Sequence, residues 1–464
     1  MENKIKFDFL KSAINYTNVE DILDWVKLQN KAVTVNVKKI PFQNLEKWHF
    51  DDESGSLMHD SGKFFSIQGI KVNSSLSPVY SWNQPIIDQP EIGYLGFIVK
   101  KINNILHFLI QAKVEPGNIN YVQLSPTLQA TKSNFEQVHK GKKPSYLDVF
   151  KNAKKENILL DQLQSEQGSR FLKKRNRNII VQVYEPFEEL DNFRWLTLGD
   201  IKQLTRYNNI VNMDTRTVIS GIDYGDLDDN VIDFIAENII GKGCNNFLKS
   251  TLSTKSLFTN SDIISFITNL KSKSFLSVEK IKLSNASNWV TSENEIKHIE
   301  NKYFKIIGVE VNIGNREVVS WCQPMIEPIS DGLCVFVCRE IRGLIHFAVQ
   351  AKLECGNHDI IELAPTVQTL TGNINLIDKS MVPFLDYSLD IDEKKIIFDS
   401  MQSEEGGRFY REQNRNVIIL DNEIDLKLPE NFIWMTLNQI NKFVKHNNYV
   451  NIQSRSLVSA ITFN

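Results

Sequence analysis

Between Ile105 and Glu115 the chain alternates between apolar and polar side chains. Leu106, Phe108, Ile110, Ala112 and Val114 fall on one side of an extended strand, and His107, Leu109, Gln111, Lys113 and Glu115 on the other, because successive strand residues face opposite ways. Further strand-like segments run over Phe64–Val72, Tyr94–Lys100 and Tyr121–Leu124, and an extended stretch over Asn178–Val183. Helical patterns cover Val19–Leu28 and Leu198–Tyr207, and a third helix is expected to end in SEQG at Ser165–Gly168. Strands bracketed by helices, with no alternating βαβ series and no GxGxxG, predict an α+β fold built on a mixed β-sheet flanked by helices, and argue against a dinucleotide-binding fold.

The pattern occurs twice, about 239 residues apart. SWNQP at Ser81–Pro85 returns as SWCQP at Ser320–Pro324, and LHFLIQAKVEPGN at Leu106–Asn118 as IHFAVQAKLECGN at Ile345–Asn357. LSPTLQ at Leu124–Gln129 returns as LAPTVQ at Leu363–Gln368, and QSEQGSRF at Gln164–Phe171 as QSEEGGRF at Gln402–Phe409. FLKS at Phe9–Ser12 recurs at Phe247–Ser250, and the first helix recurs as Ser261–Leu270. The chain therefore divides into a first repeat over residues 1–222, a connector over 223–243 with a short helical pattern at Asn230–Ile240, and a second repeat over 244–464. A duplicated scaffold needs only its apolar pattern; polar residues kept in register point to a shared binding task.

With 464 residues, 42% hydrophobic and 23% charged, each half is long enough to bury a core without staples. A net charge of −3 disfavours a dedicated nucleic-acid partner. No signal-peptide stretch opens the chain and no apolar run approaches membrane-spanning length, so no membrane association and a cytoplasmic setting are expected. All five cysteines (Cys244, Cys322, Cys334, Cys338 and Cys355) lie in the second half, without CxxC or zinc spacing, so neither a disulfide framework nor a metal site is expected.

The polar strand face is the first candidate for chemistry. Gln111 can read an amide or a hydroxyl, Lys113 can hold a phosphate or polarise a carbonyl, and His107 can move protons. Glu166, Arg170, Asn176 and Arg177 crowd the segment after QSEQG, and Asn209, Asn212 and Arg216 close the repeat. The planar fork of arginine suits a diphosphate. Trp82, two residues before Gln84, is weighed evenly between stacking a nucleobase and sitting in the core. The second copy offers Trp321, Gln323, Gln350, Lys352, Arg408, Arg415, Asn448 and Arg455. Asp60 and Glu91 stand where the second repeat has Ile299 and Ser330, so a working first site and a relict second site would explain the difference.

With HDSGKFFSI (His59–Ile67), QPEIGYLGF (Gln89–Phe97), QAKVEPGN, LSPTLQAT, SEQGSRFLKKRNRN and NNIVNMDTRTV (Asn208–Val218), the chain resembles the NDP-hexose 2,3-dehydratase family of deoxysugar biosynthesis over nearly its whole length. The resemblance implies tandem Nudix-like modules and a homodimer. It implies a dTDP-linked 4-keto-6-deoxy sugar as substrate, loss of water across C2 and C3, and a downstream NADPH-dependent 3-ketoreductase. No cofactor is implied. A Nudix box laid on Gly168 keeps one of its three glutamates, Glu166, which disfavours magnesium-dependent hydrolysis.

Such an elimination needs a base near C3, a donor to O4 and an acid for the departing hydroxyl. Lys113 is the favoured oxyanion donor, with His107 and Glu166, or alternatively Asp60 and Glu91, moving protons. Trp82, Gln84, Gln111, Lys63, Arg170, Asn176, Arg177, Asn209, Asn212 and Arg216 make up the expected substrate-binding set. A non-catalytic tandem nucleotide-sugar-binding protein is the alternative.

Overall fold

The computed structural model describes residues 2–76, 79–131, 143–186, 188–241, 245–314, 319–369, 381–424 and 427–463; Cys244 and the Lys242-Gly243 end of the connector lie outside them. In the first repeat the strands are β1 (Val35–Ile40), β2 (Trp48–Phe50), β3 (Leu57–His59), β4 (Ser66–Ser74), β5 (Ser81–Asp88), β6 (Gly93–Ile102) and β7 (Ile105–Val114). They continue as β8 (Val122–Ser125), β9 (Leu128–Ala130), β10 (Ile158–Ser165), β11 (Arg175–Gln182) and β12 (Phe193–Thr197). The second repeat supplies β13 (Leu276–Ile281), β14 (Trp289–Thr291), β15 (Glu295–His298), β16 (Phe304–Ile313), β17 (Ser320–Pro328), β18 (Gly332–Ile341) and β19 (Leu344–Lys352). It closes with β20 (Glu362–Ala364), β21 (Val367–Thr369), β22 (Ile396–Ser403), β23 (Gln413–Leu420) and β24 (Phe432–Thr436).

Each repeat builds a seven-stranded mixed sheet, β10-β11-β6-β7-β12 with β8 and β9 attached, and β22-β23-β18-β19-β20 with β21 and β24 attached. The β6–β11 and β18–β23 pairs are parallel and the other ladders antiparallel. The alternation of β7 is realised. Its Leu106, Phe108, Ile110, Ala112 and Val114 join Phe9, Ile22, Ile201, Leu204 and Val218 in the main core. Burying each large apolar side chain there contributes about 1.5–3 kcal/mol. Leu109 faces the other way into a second cluster with Ile98, Ile179 and Phe193, so the face that alternation marks as polar is dry at its middle.

The helices begin where the sequence offers caps. Thr197 and Asp200 form a capping box before Leu198–Leu204, and Thr436 with Gln439 repeats it before Leu437–Val444. Asn212 and Asn451 cap Met213–Ser220 and Ile452–Ser459. The helix expected to end in SEQG is instead strand β10, whose Ile158–Ser165 pairs antiparallel with β11. Gln164 and Ser165 are buried by cross-strand and cross-repeat neighbours, and that tertiary pairing overrides any local helical preference.

The two repeats exchange strands. β1 of the first pairs with β16 of the second from Val35↔Ile313 to Ile40↔Gly308, and β13 of the second pairs with β4 of the first from Leu276↔Ser74 to Ile281↔Gly69. Each five-stranded sheet is thus completed by the other repeat. Val309, Val311, Ile313 and Phe463 of the second repeat enter the first repeat's core, while Phe336, Phe347 and Ile440 belong to a core of the second repeat's own.

Candidate functional site

The repeated polar motifs join the repeats to each other. After β7 the turn Glu115–Asn118 meets the Glu404–Arg411 segment: Gly117 N donates to Gly406 O at 2.8 Å and Arg411 N donates to Gly117 O at 2.7 Å. The reciprocal contact has Gly356 N on Gly168 O at 2.6 Å and Lys173 N on Gly356 O at 2.7 Å. A Cβ at Gly406 would overlap Asn118 Oδ1 and lie 2.9 Å from Glu115 Cβ, while one at Gly168 would overlap Asn357 Oδ1 and lie 2.8 Å from Glu354 Cβ. Only glycine permits this approach. Residue 166 therefore serves its own repeat's pocket while residues 167 and 170 serve the other's, and the same crossing places Glu405 and Arg408 in the first repeat's pocket.

The first pocket gathers Lys113, Glu115, Glu166, Lys174 and Asp214 from the first repeat with Glu405 and Arg408 from the second. Lys113 Nζ donates to Gln129 O at 3.1 Å, Gln129 Nε2 donates to Glu115 Oε1 at 2.8 Å, and Asn212 Nδ2 donates to Gln129 Oε1 at 3.2 Å. Glu166 accepts from Asn176 Nδ2 at 2.6 Å. Burial raises its pKa, opposed by the charges of Arg455 and Lys174. Burial, reinforced by Glu405, Glu166 and Glu115, holds the Asp214 carboxyl well above the usual range despite Lys113. Burial likewise pushes Glu405 up to about 7, with Arg408 opposing and Glu115 and Glu166 adding to the rise. Crowding of this kind makes each ionisation oppose the next, which holds Asp214 and Glu405 above the ordinary carboxylate range.

The second pocket has the same plan and different chemistry. Lys352, Glu354 and Glu404 answer Lys113, Glu115 and Glu166, and Gln368 Nε2 donates to Glu354 Oε1 at 2.9 Å. Gln453 stands for Asp214, Gln167 for Glu405, and Glu412 for Lys174. Burial pushes Glu404 up to about 7 and Glu412 up to about 8. Arg170 Nε and Nη2, both Glu412 oxygens, and the side-chain amides of Gln453 and Asn357 are buried without a hydrogen-bond partner in the protein. Unmatched polar atoms at that density call for a partner from outside the chain, such as solvent or a polar ligand.

Several expected site residues land elsewhere. His107 lies on β7 six residues before Lys113, roughly 20 Å away along a strand, and its Nδ1 bonds Ile105 O at 2.9 Å. Asp60 is exposed and paired with His49 Nδ1 at 2.7 Å, and Lys63 is exposed in the same loop. Glu91 stays at the margin, where its Oε1 accepts from Gln89 at 2.8 Å and its carbonyl accepts from Lys174 Nζ.

The expected arginine clamp is not formed by Arg216 and Arg455, which are 1% and 0% exposed. Arg216 donates to Ser403 O and Ser456 Oγ, and Arg455 to Ser165 O and, at 2.8 Å, to Gln164 Oε1, so each pins the opposite repeat. Arg177 and Arg415 form two-pronged pairs with Asp161 and Asp399 on the surface. Arg170, expected in the first pocket, stacks 4.2 Å over Phe304 at the second; Arg408, expected in the second, stacks 4.3 Å over Phe65 at the first.

Trp82 packs with Ile70, Val72 and Ile86 as core and donates to Gln84 Oε1 at 2.9 Å; Gln84 then donates to Ser169 O at 3.0 Å. Trp321 and Gln323 repeat this against Gly407 O at 2.7 Å. These pairs brace the glycine loops. Asn209 crosses to Gln413 Oε1 at 2.8 Å, while Asn448 leaves its buried Oδ1 without a partner. Gln111 and Gln350 are half-buried, one strand period before Lys113 and Lys352. Asp214, Glu405, Glu115 and Lys174 were absent from the expected set. Their signal lay in the repeat comparison, where Asp214 answers Gln453 and Glu405 answers Gln167.

The sequence profile of the NDP-hexose 2,3-dehydratase family matches residues 19–222 and again residues 260–461. The chain belongs to this family. Among curated family relatives, a dTDP-4-dehydro-6-deoxy-alpha-D-glucopyranose 2,3-dehydratase of Saccharopolyspora spinosa is 41% identical over 98% of this chain and 94% of its own. Proteins of the same name from Amycolatopsis orientalis and Streptomyces violaceoruber are 36% and 37% identical, over 95% and 94% of this chain and 90% and 95% of theirs. One solved structure, an ADP compounds hydrolase, aligns over 33% of this dehydratase-family chain and 82% of its own, at 14% identity and a TM-score of 0.22. Among the described residues no helix is long and apolar enough to cross a membrane.

Proposed function

We propose that the chain eliminates water across C2 and C3 of dTDP-4-keto-6-deoxyglucose, giving dTDP-3,4-diketo-2,6-dideoxyglucose, and that it does so in the first pocket. The observation that carries this reading is the asymmetry between the pockets: Glu115, Glu166, Asp214 and Glu405 crowd around Lys113, whereas two of the four counterparts are the amides Gln453 and Gln167. Glutamine keeps shape and hydrogen bonding but carries no titratable proton.

The C3 proton is acidic because C4 is a ketone. Its removal sends charge to O4, where the Lys113 ammonium is the donor; a fixed cation at a developing oxyanion is commonly worth a factor of about 10²–10³ in rate. The C2–O bond then breaks and the hydroxyl leaves with a proton as water. The resulting enol tautomerises, and C3 becomes a ketone. No electron is gained or lost. Asp214, whose carboxyl burial and the neighbouring carboxylates hold well above the usual range, suits a hydrogen-bond donor to a sugar oxygen.

The second pocket is read as a nucleotide-sugar site that binds without turnover, supported by its unmatched polar atoms. The mixed seven-stranded sheet in each repeat supports the finer reading of two Nudix-like modules. A homodimer and a partnering NADPH-dependent 3-ketoreductase complete the proposal. The test is incubation with dTDP-4-keto-6-deoxyglucose, without added metal, alongside such a ketoreductase. Loss of water followed by gain of two hydrogens, read by mass, is the expected result; unchanged substrate that remains bound would favour a binding protein.

A further inference from the structure

The first pocket is incomplete without the second repeat, and the group that crosses is the one best placed for proton transfer. Three of its carboxyl residues, Glu115, Glu166 and Asp214, are at most 8% exposed, whereas Glu405 is half-buried and so keeps some solvent access. Glu115 accepts from Gln129 and Glu166 from Asn176; among the described residues no hydrogen bond engages the Glu405 carboxyl. A Cβ placed on Gly407 would overlap Glu405 Oε1 and lie 3.8 Å from Glu115 Oε1, so the two carboxyls are near neighbours, close enough for Glu115 to act on the Glu405 charge. Lys113 and Arg408 are close enough to act on the Glu405 charge. At the equivalent position of the other pocket, Gln167 donates to Glu404 and is fully buried.

Resting on the proposed dehydration, we infer that Glu405, supplied by the second repeat, takes the C3 proton in the first repeat's pocket and returns it to the C2 hydroxyl as that group departs. One carboxylate gains the proton as the C3–H bond breaks and loses it as the C2–O bond breaks, so the elimination releases one water and restores Glu405 for the next turnover. Both events then use one face of the sugar ring. Lys113 holds the O4 charge between them. Burial and crowding bring Glu405 to the range where a carboxyl can both accept and return a proton at neutral pH. The close contact of the Gly117 turn with the Gly406 segment brings this side chain into reach, so the active centre draws on both repeats.

The experiment compares full-length wild type, Glu405→Gln and Glu405→Asp in three readouts: turnover of dTDP-4-keto-6-deoxyglucose, dTDP affinity, and exchange of the substrate's C3 hydrogen with deuterated solvent. Glu405→Gln is expected to lose about 10²–10⁴-fold in turnover and to lose C3 exchange in the same proportion, with dTDP affinity held and a melting temperature no lower than that of wild type, since the variant is relieved of a carboxyl whose pKa folding raises. Glu405→Asp should recover part of both rates and displace the pH profile of turnover, which a merely structural glutamate would not do. A Glu405→Gln protein that keeps more than about a tenth of wild-type turnover, or that exchanges the C3 hydrogen normally, overturns the inference and leaves the dehydratase reading standing. Wild-type protein inert toward the substrate overturns both.

Discussion

Glu412 occupies in the second pocket the place that Lys174 holds in the first, and its titration tests the electrostatic account of the whole site. The side chain is 2% exposed and neither oxygen has a partner in the protein. Burial, with Arg170 opposing and Glu404 adding, pushes it from the ordinary 4.5 up to about 8. A carboxyl raised on folding costs nothing below its unfolded value. It then costs the fold about 1.4 kcal/mol for each pH unit up to its folded value, on the order of 3 kcal/mol by neutral pH. Glu412→Gln cannot ionise. The variant should match or slightly trail wild type near pH 5, gain on it steadily as pH rises, and stop gaining above about pH 8. Parallel urea denaturation of both proteins, followed by tryptophan fluorescence at several pH values from about 5 to about 9, reads the difference. A difference between the two proteins that stays flat with pH would refute the reasoning, because it would mean that Glu412 ionises in the folded chain as it does in water.

Three further outcomes are expected. Lys113→Met should lower turnover by about 10²-fold or more with dTDP affinity nearly unchanged, and full turnover would remove Lys113 from the mechanism. Arg216→Met should cost about 3–5 kcal/mol of stability in urea denaturation, since it leaves Ser403 O and Ser456 Oγ buried without their donor; a stable protein with weakened nucleotide binding would restore the clamp that the sequence suggested. His107→Gln and Asp60→Asn should each keep turnover within about 3-fold of wild type in steady-state assays, because one lies roughly 20 Å along a strand from Lys113 and the other is exposed beside His49.

Much of the architecture was legible along the chain. The alternation over Ile105–Glu115, the helices at Asn260–Ser272 and Glu20–Lys31, and the strand at Arg175–Gln182 all follow from local periodicity, which depends only on which side chains must leave water. β10 was not legible, because Gln164 and Ser165 are buried by Val444 and Glu362 of the other repeat and local pattern carries no trace of those partners. The helix at Met213–Ser220 was also missed. All eight of its residues are buried, yet Asp214, Thr215, Arg216, Thr217 and Ser220 are polar, so it shows no apolar stripe at helical spacing to give it away.

From the sequence alone came the duplication, the α+β class, the family, and Lys113 and Glu166 as candidates for chemistry. These rest on residue identity and spacing, which any reader of the chain can compare between copies. The partition of the remaining residues between two pockets required the fold. Glu405 serves the first repeat and Arg170 the second because the glycine turns at 168 and 406 lock across the interface. Distance through space sets a carboxyl's field and its proton affinity, and nearly 300 residues of chain separate Lys113 from Glu405.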